Sequence, residues 1–397
     1  MAGGSLSVAQ VLCSGSFAGA EAVACALARA LSGRVERSLL YLVLETRAGR
    51  VACAELEARV RGFGLEVRCF ATDRRWSWPL LRQLAAALRA DRIDVVHSHS
   101  YKAAVLLPLL RPLLRDRPRA LVFTLHGVDL PPSWGRVMLG ALTAGGALMA
   151  DAVVACSRPL ERAYQRWPLL RGKTWRVPNA LGPEWPLPRE ELDRQRPVWR
   201  AAVGERFGLD EEACWIGIVG RLVAVKNHGM LLRAVAELEG RRSGAPSLAL
   251  LVVGGGPLRE ALVAEARRLG IERRVAWSGQ VNDLEAIYGS IDVLALVSHH
   301  EGTPMAIAEG MAFARPVVAT RVGGIVDQVV EGETALLVEA GDEAGLAAQL
   351  ERLVTDQALR LRLGQAGWRR AVECFSAASW AERHLEIYRS VLGRADG

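Results

Sequence analysis

Asp292 to Thr320 reads DVLALVSHHEGTPMAIAEGMAFARPVVAT. Its two ends, DVLALVS and PVVAT, are short apolar runs of the kind that buried parallel strands make. Between them Thr303 is a good N-cap and Pro304 a good first helical residue, so the pattern predicts a helix starting there. Ile307, Ala308, Met311 and Ala312 share the face that such a helix would bury, and Glu309 falls off it. A strand, a helix and a strand in immediate succession form a βαβ unit, which points to a parallel sheet.

The same alternation continues outward. WIGIVGR, LALLVVGGG, RVAWSG and TALLVE complete a strand series in the second half, with helical patterns such as HGMLLRAVAELE and LREALVAEARRLG between them. The first half has its own series, SVAQVLC, RSLLYLVLE, DVVHSH, ALVFTLHG and AVVACS, alternating with GAEAVACALARALS and LLRQLAAALRA. Each series predicts a doubly wound, Rossmann-like α/β domain. PNALGPEWPLPREELDRQRPVWR, rich in proline and charge, separates them and lacks strand periodicity. The expected organisation is an N-terminal domain at 1–180, a linker at 181–212, a second domain at 213–376 and an amphipathic C-terminal helix at 377–397. The pattern leaves the dock of that helix open, a return onto the N-terminal domain being one option. Two facing domains leave an interdomain cleft at the carboxyl ends of both sheets, where open α/β sheets bind ligands.

The 397 residues exceed the usual size of one core, and 51 % are hydrophobic, which excludes disorder. Residues 1–179 hold 25 basic and 13 acidic side chains, +12, whereas 180–397 hold 25 and 30, −5. A basic half suits nucleic acid, anionic lipid or phosphorylated substrates, and charge alone does not choose among them. The seven cysteines are scattered without a C-x-x-C pair, as core fillers in a reducing compartment would be. The beginning MAGGSLSVAQVLC lacks a basic n-region, and no charge-free apolar run reaches bilayer length, so the expected location is cytoplasmic.

Three loops after strands carry candidate chemistry. In GRLVAVKNHG, Arg221 and Lys226 leave a strand end just before a helix, where two cations and free N–H groups can converge on an anion. In VVGGGPLRE, Gly254 to Gly256 permit close backbone approach, although the spacing fits neither the dinucleotide nor the Walker fingerprint. In the opening stretch, Gly302, Thr303, Pro304 and Met305 lie at a helix start, with Glu301 just before it. A carboxylate there suits sugar hydroxyls better than phosphate. A diphosphate on Arg221 and Lys226, with hydroxyls on Glu301 and Glu309, describes a nucleotide sugar.

GRLVAVKNH, VVGGGP and the long stretch from VAWSGQ to TALLVE together resemble the donor half of the family 4 retaining glycosyltransferases of GT-B fold. The resemblance covers nearly all of the chain beyond Trp215: the E-x7-E pair, the Arg and Lys loop and the GG-x-x-(D/E)-x-V segment stand in the family's order. FAGAEAV, DVVHSH, TLHG and VVACS followed by VPNAL are similar to the family's first half. The resemblance implies a hexosyltransferase of cell-surface polysaccharide or lipid-linked saccharide assembly. Arg221 and Lys226 would neutralise the donor diphosphate, Glu309 would bind the ribose and Glu301 with the following amides the sugar. His126 would sit at the reaction centre, Gly19 would approach the phosphates, and Gly255 and Gly279 would complete the donor loops. Ala18 and Ala180 stand where the family has glycine.

The implied donor is a UDP-sugar, with GDP-mannose second, and the implied acceptor a saccharide or lipid-linked saccharide. No two aspartates are separated by one residue, so the D-x-D metal signature is absent; no cofactor and no metal are expected, and protein cations would replace a divalent ion. Retention follows from the resemblance alone. His97 and His99 alternate at a strand end, and with Lys102 they are the acceptor-side candidates. YKAAVLLPLLRPLLRDRPR joins an apolar run to Arg111, Arg115, Arg117 and Arg119; it is either a core helix with a solvated end or a peripheral seat on the inner membrane face. Two other functions compete: an epimerase of GT-B fold, which shares the architecture, and a basic nucleotide- or nucleic-acid-binding protein. Aromatic residues are too sparse among the charges for base stacking, so nucleic acid is not an expected partner.

Overall fold

The computed structural model describes residues 6–14, 19–46, 49–73, 77–113, 118–125, 145–181, 185–241, 247–281 and 283–395. The chain divides into two units, Met1–Pro183 together with Ala377–Gly397, and Glu184–Ser376.

The first unit holds strands β1 (Ser7–Ser14), β2 (Arg37–Glu45), β3 (Glu66–Thr72), β4 (Val95–Ser98), β5 (Ala120–Leu125), β6 (Ala152–Ala155) and β7 (Thr174–Arg176). They form one sheet in the order β3-β2-β1-β4-β5-β6-β7, with every neighbouring pair parallel. The second unit holds β8 (Cys214–Val219), β9 (Leu248–Val253), β10 (Val275–Gly279), β11 (Val293–Leu296), β12 (Val317–Thr320) and β13 (Ala335–Val338), ordered β10-β9-β8-β11-β12-β13 and likewise parallel. Both orders are of the doubly wound type. Their direction reverses between β1 and β4 and between β8 and β11, and these switch points open crevices at the carboxyl ends.

The two switch points are built alike. Asp94 ends the loop before β4 and accepts the Ser7 N–H on Oδ2 at 3.0 Å; Asp292, before β11, accepts the Trp215 N–H on Oδ2 at 2.8 Å. In each case a carboxylate fixes where the fourth strand starts beside the first. The strands themselves are continuous apolar runs because helices cover both faces; β9, β11, β12 and β13 are buried along their whole length.

Two expectations need correction. The stretch read as a linker contains the 19-residue helix Arg189–Phe207. Its proline and charge hide a real packing face. Leu192 and Val203 are buried, Arg196 and Arg200 reach Asp292 at 2.5 and 3.1 Å, and the Arg200 guanidinium lies 4.2 Å from the centre of the Trp215 ring. Pro197 removes one intrahelical bond, and docking on the sheet outweighs that loss. The helix after β11 also begins one residue later than predicted, at Met305. Pro304 is extended, with ψ at 121°, and its carbonyl accepts the Gln328 Nε2–H at 3.1 Å.

The C-terminal helix, Ala377–Ala395, docks on the first unit. Trp380, Leu385, Tyr388 and Val391 share a core cluster with Val8, Leu27, Leu31, Val122 and Val154. Among the described residues no helix is long and apolar enough to cross a membrane. The apolar part of YKAAVLLPLLRPLLRDRPR is core: Ala103, Ala104, Leu106, Leu107 and Leu110 are buried, and Arg111 pairs with Asp151 at 2.5 Å. Arg115 and Arg117 lie outside the described residues. The seven cysteines are unpaired thiols, five of them buried.

Candidate active site

The loops at the carboxyl ends of β10, β9, β8, β11 and β12 form one hydrogen-bonded rim in sheet order. Gly254 N–H donates to the Gly279 carbonyl at 2.9 Å, and Leu222 N–H to the Gly255 carbonyl at 2.9 Å. His299 N–H donates to the Val225 carbonyl at 2.8 Å, and the Thr320 hydroxyl to the Ser298 carbonyl at 2.7 Å. Gly324 N–H then donates to the Glu301 carbonyl at 3.2 Å. Glycine is required at two of these crossings. A Cβ on Gly254 (φ +137°) would lie 2.0 Å from the Gly220 carbonyl oxygen, and one on Gly323 (φ +50°) 1.8 Å from that of Glu301.

At the switch point of this rim Lys226 Nζ meets Glu301 Oε1 at 2.5 Å, with side chains 20 % and 8 % exposed. The same Oε1 accepts the Ser298 hydroxyl at 2.6 Å. Arg221, at the end of the same loop as Lys226, is exposed, and no described residue bonds its guanidinium. The pair therefore holds a lysine and a carboxylate in fixed positions on a rim whose amides are already knitted together, and the exposed Arg221 stands five residues before Lys226 on the same loop. Removing either partner leaves the other as an uncompensated, largely buried charge.

Glu309 lies about one turn along the helix Met305–Ala312 and is half-buried rather than solvated. The Tyr288 hydroxyl donates to its Oε2 at 2.6 Å. Burial raises the Glu309 pKa above the ordinary carboxylate value, and the bond from Tyr288 acts in the opposite direction. Gly302, Thr303 and Met305 are half-buried between the two glutamates, and Pro304 is buried. The structure thus gathers Arg221, Lys226, Gly255, Gly279, Glu301, Gly302, Thr303, Pro304, Met305 and Glu309 along one rim and the helix that leaves it. Sequence reasoning missed Ser298 and Tyr288. Ser298 lies two residues past β11 and three before Glu301, and this proximity was its only signal; Tyr288 had none, because its helix packs into place from outside the loop.

The first unit is different. His97 is fully buried, with Nδ1 2.7 Å from the Tyr388 hydroxyl and Nε2 2.7 Å from the Thr124 hydroxyl. His99 is 3 % exposed, and its Nε2 lies 2.6 Å from Gln10 Oε1, which marks that nitrogen as the protonated one. Gln10 Nε2 reaches the Tyr388 hydroxyl at 3.4 Å. These histidines were expected on the acceptor side. In the structure His97 is fully buried and joins the C-terminal helix to the sheet. Lys102 pairs with Glu45 at the end of β2. Gly19 heads the helix Gly19–Leu31, and His126 lies outside the described residues. Tyr388 was also missed, although Trp380, His384 and Tyr388 recur every four residues along one face of an otherwise apolar pattern.

Comparison with known proteins agrees with this arrangement. The family model described as Glycosyltransferase Family 4 matches residues 17–185, and the model described as Glycosyl transferases group 1 matches residues 213–356. The D-inositol 3-phosphate glycosyltransferase of Nocardia farcinica is 32 % identical over 340 residues, 80 % of this chain and 71 % of the relative. The lipopolysaccharide core biosynthesis glycosyltransferase LpsE of Rhizobium meliloti is 33 % identical over 193 residues, 48 % of this chain and 55 % of the relative. Among solved structures, Anabaena HepE in complex with UDP superposes with a TM-score of 0.79 at 19 % identity, covering 97 % of this chain and all of that one; HepE has also been solved with UDP-glucose. Two parallel doubly wound domains and these matches lead to one conclusion: the chain belongs to the family 4 glycosyltransferases and has the GT-B fold.

Proposed function

We propose that this glycosyltransferase moves a hexosyl unit from a UDP-sugar to a saccharide or lipid-linked saccharide in cell-surface polysaccharide assembly, with retention and without a metal. The observation that carries the reading is the Lys226–Glu301 pair at the switch point, with the exposed Arg221 on the same loop. A donor diphosphate brings the negative charge that Lys226, among the described residues, finds in Glu301, and the released carboxylate can accept hydrogen bonds from the sugar. Glu309, held by Tyr288, has one oxygen left for ribose hydroxyls. UDP is favoured over GDP because HepE has been solved with UDP and with UDP-glucose. The assembly role is supported by the likeness to LpsE.

Transfer breaks the bond between the anomeric carbon and the donor diphosphate and leaves negative charge on the departing oxygen. In this reading Arg221 and Lys226 stabilise that charge, as a divalent ion does in enzymes with a D-x-D motif. An acceptor hydroxyl attacking on the same face forms the new C–O bond, and its proton passes to the leaving oxygen, the nearest base on that side. Loss of one preorganised donor typically costs on the order of 3 kcal/mol, about 100-fold in rate.

The test is nucleotide diphosphate release from a panel of nucleotide sugars in EDTA, with membrane extract as acceptor, comparing wild type with Lys226→Ala and Glu309→Ala. Release from one UDP-sugar, reduced about 100-fold by Lys226→Ala and weakened by Glu309→Ala, is the expected outcome. Turnover that needs added metal, or that survives in both variants, would refute the proposal.

A further inference from the structure

Asp91 shows how this chain fixes a purely structural carboxylate. It is 4 % exposed, and both of its oxygens are filled. Oδ2 accepts the Tyr41 hydroxyl at 2.6 Å and Arg68 Nε–H at 3.2 Å, while Oδ1 accepts from Arg68 Nη2 at 2.8 Å and from Arg37 Nη1 at 3.3 Å. Glu301 and Glu309 are different. Glu301 takes Lys226 Nζ and the Ser298 hydroxyl on the same oxygen, Oε1, and Glu309 takes the Tyr288 hydroxyl on Oε2. Among the described residues nothing donates to Glu301 Oε2 or to Glu309 Oε1, and neither of these atoms is sealed from solvent. Each glutamate therefore has one oxygen anchored and one open.

The anchors are themselves fixed. Ser298 is fully buried, and its carbonyl accepts the Thr320 hydroxyl at 2.7 Å. Tyr288 is fully buried as well; its ring stacks on Phe313 with centroids 5.9 Å apart and stands at 88° to the Trp185 ring, 6.3 Å away. The helix that carries it, Leu284–Ser290, is capped by Asp283, which accepts the Ala286 N–H at 3.1 Å. This helix lies so close to the helix Arg189–Phe207 that a Cβ on Gly289 would come within 2.0 Å of the Trp199 ring. The two hydroxyls thus come from the segments on either side of β11, each held by packing before any ligand arrives. Groups locked in this way lose little freedom on binding.

We propose that Ser298 and Tyr288 are positioning residues of the donor site. Each ties down one oxygen of a glutamate and turns the other toward a hydroxyl of the nucleotide sugar: Ser298 acts through Glu301 on the transferred sugar, and Tyr288 through Glu309 on the ribose. The inference rests on the donor reading given above and divides the site into two parts that can be probed separately. Ser298 matters most once the donor is bound. A diphosphate draws Lys226 away from Glu301, and the serine hydroxyl is then the donor left on Oε1 to keep the carboxylate in its orientation. Tyr288 has no such partner, so its hydroxyl orients Glu309 in the free and the bound protein alike.

The experiment is calorimetric binding of UDP, UDP-glucose and 2′,3′-dideoxyuridine diphosphate to the whole chain in EDTA, without acceptor. Ser298→Ala is expected to weaken UDP-glucose about tenfold and to leave UDP unchanged, because UDP has no sugar for Glu301 to meet. Tyr288→Phe is expected to weaken UDP and UDP-glucose alike, about tenfold, and to bind the dideoxy nucleotide as wild type does, since the hydroxyls that Glu309 would accept from are missing. A site that had merely collapsed would lose all three ligands together. Ser298→Ala acting equally on UDP and UDP-glucose, or on neither, would overturn the role of Ser298. Tyr288→Phe weakening the dideoxy nucleotide as much as UDP, or leaving UDP unchanged, would overturn that of Tyr288. Wild type that binds neither UDP nor UDP-glucose would instead overturn the donor reading, and this inference with it.

Discussion

The two domains begin their switch points with the same device and end them differently. Ile93-Asp94-Val95 and Ile291-Asp292-Val293 each set an aspartate against the first N–H groups of the neighbouring central strand. At the other end of the short strand that follows, one domain presents His97 and His99 and the other Ser298 and Glu301. The histidines are sealed under the C-terminal helix by Tyr388, Thr124 and Gln10, while the glutamate faces a lysine that stays 20 % exposed. The position after the fourth strand therefore holds buried histidines in one half and a partly exposed ion pair in the other. What separates them is a single helix that leaves the second domain and returns to the first.

Acid gives the largest expected effect. Burial holds His384 in the first unit and His228 in the second at a pKa of about 4, below the ordinary histidine value of 6.5. The unfolded chain binds these protons more readily, so each site lowers stability as pH falls from about 6.5 to about 4, by on the order of 3 kcal/mol. His384 Nδ1–H donates to the Trp380 carbonyl at 2.9 Å, whereas among the described residues neither nitrogen of His228 has a partner. Replacing His228 by leucine should therefore flatten the pH dependence of the thermal midpoint between pH 4 and pH 6.5 without loss at neutral pH. A midpoint that falls as steeply in His228→Leu as in wild type would remove His228 from the account.

Tyr388→Phe is the next test in size. It strips the hydroxyl from His97 Nδ1 and Gln10 Nε2 and leaves buried polar atoms unpaired, at a cost of about 1–3 kcal/mol measured by denaturant unfolding. A variant as stable as wild type would mean that the helix is held by its apolar face alone and that the histidine cluster serves some other purpose.

The sequence made the second domain more legible than the first, for a physical reason. Its candidate residues follow strands at short range, so Arg221, Lys226, Glu301 and Glu309 could be placed by loop position and helix spacing. In the first domain the partners are remote: Tyr388 meets His97 across 291 positions, and alternation in a strand gives the side on which a histidine lies without telling what covers it. The helix Arg189–Phe207 was hidden because proline and charge are read locally as breaks, whereas its stability comes from Asp292, Trp215 and the sheet. The start at Met305 moved by one residue because Gln328, distant in sequence, claims the Pro304 carbonyl.

The most direct measurement is a calorimetric titration of UDP into wild type, Lys226→Ala and Tyr388→Phe in EDTA. The account predicts that Lys226→Ala weakens binding at least about tenfold, the effect of losing one charge-assisted contact, while Tyr388→Phe binds as wild type does. Binding that is unchanged by Lys226→Ala, or lost in Tyr388→Phe while that protein remains folded, would contradict the assignment of donor chemistry to the second rim.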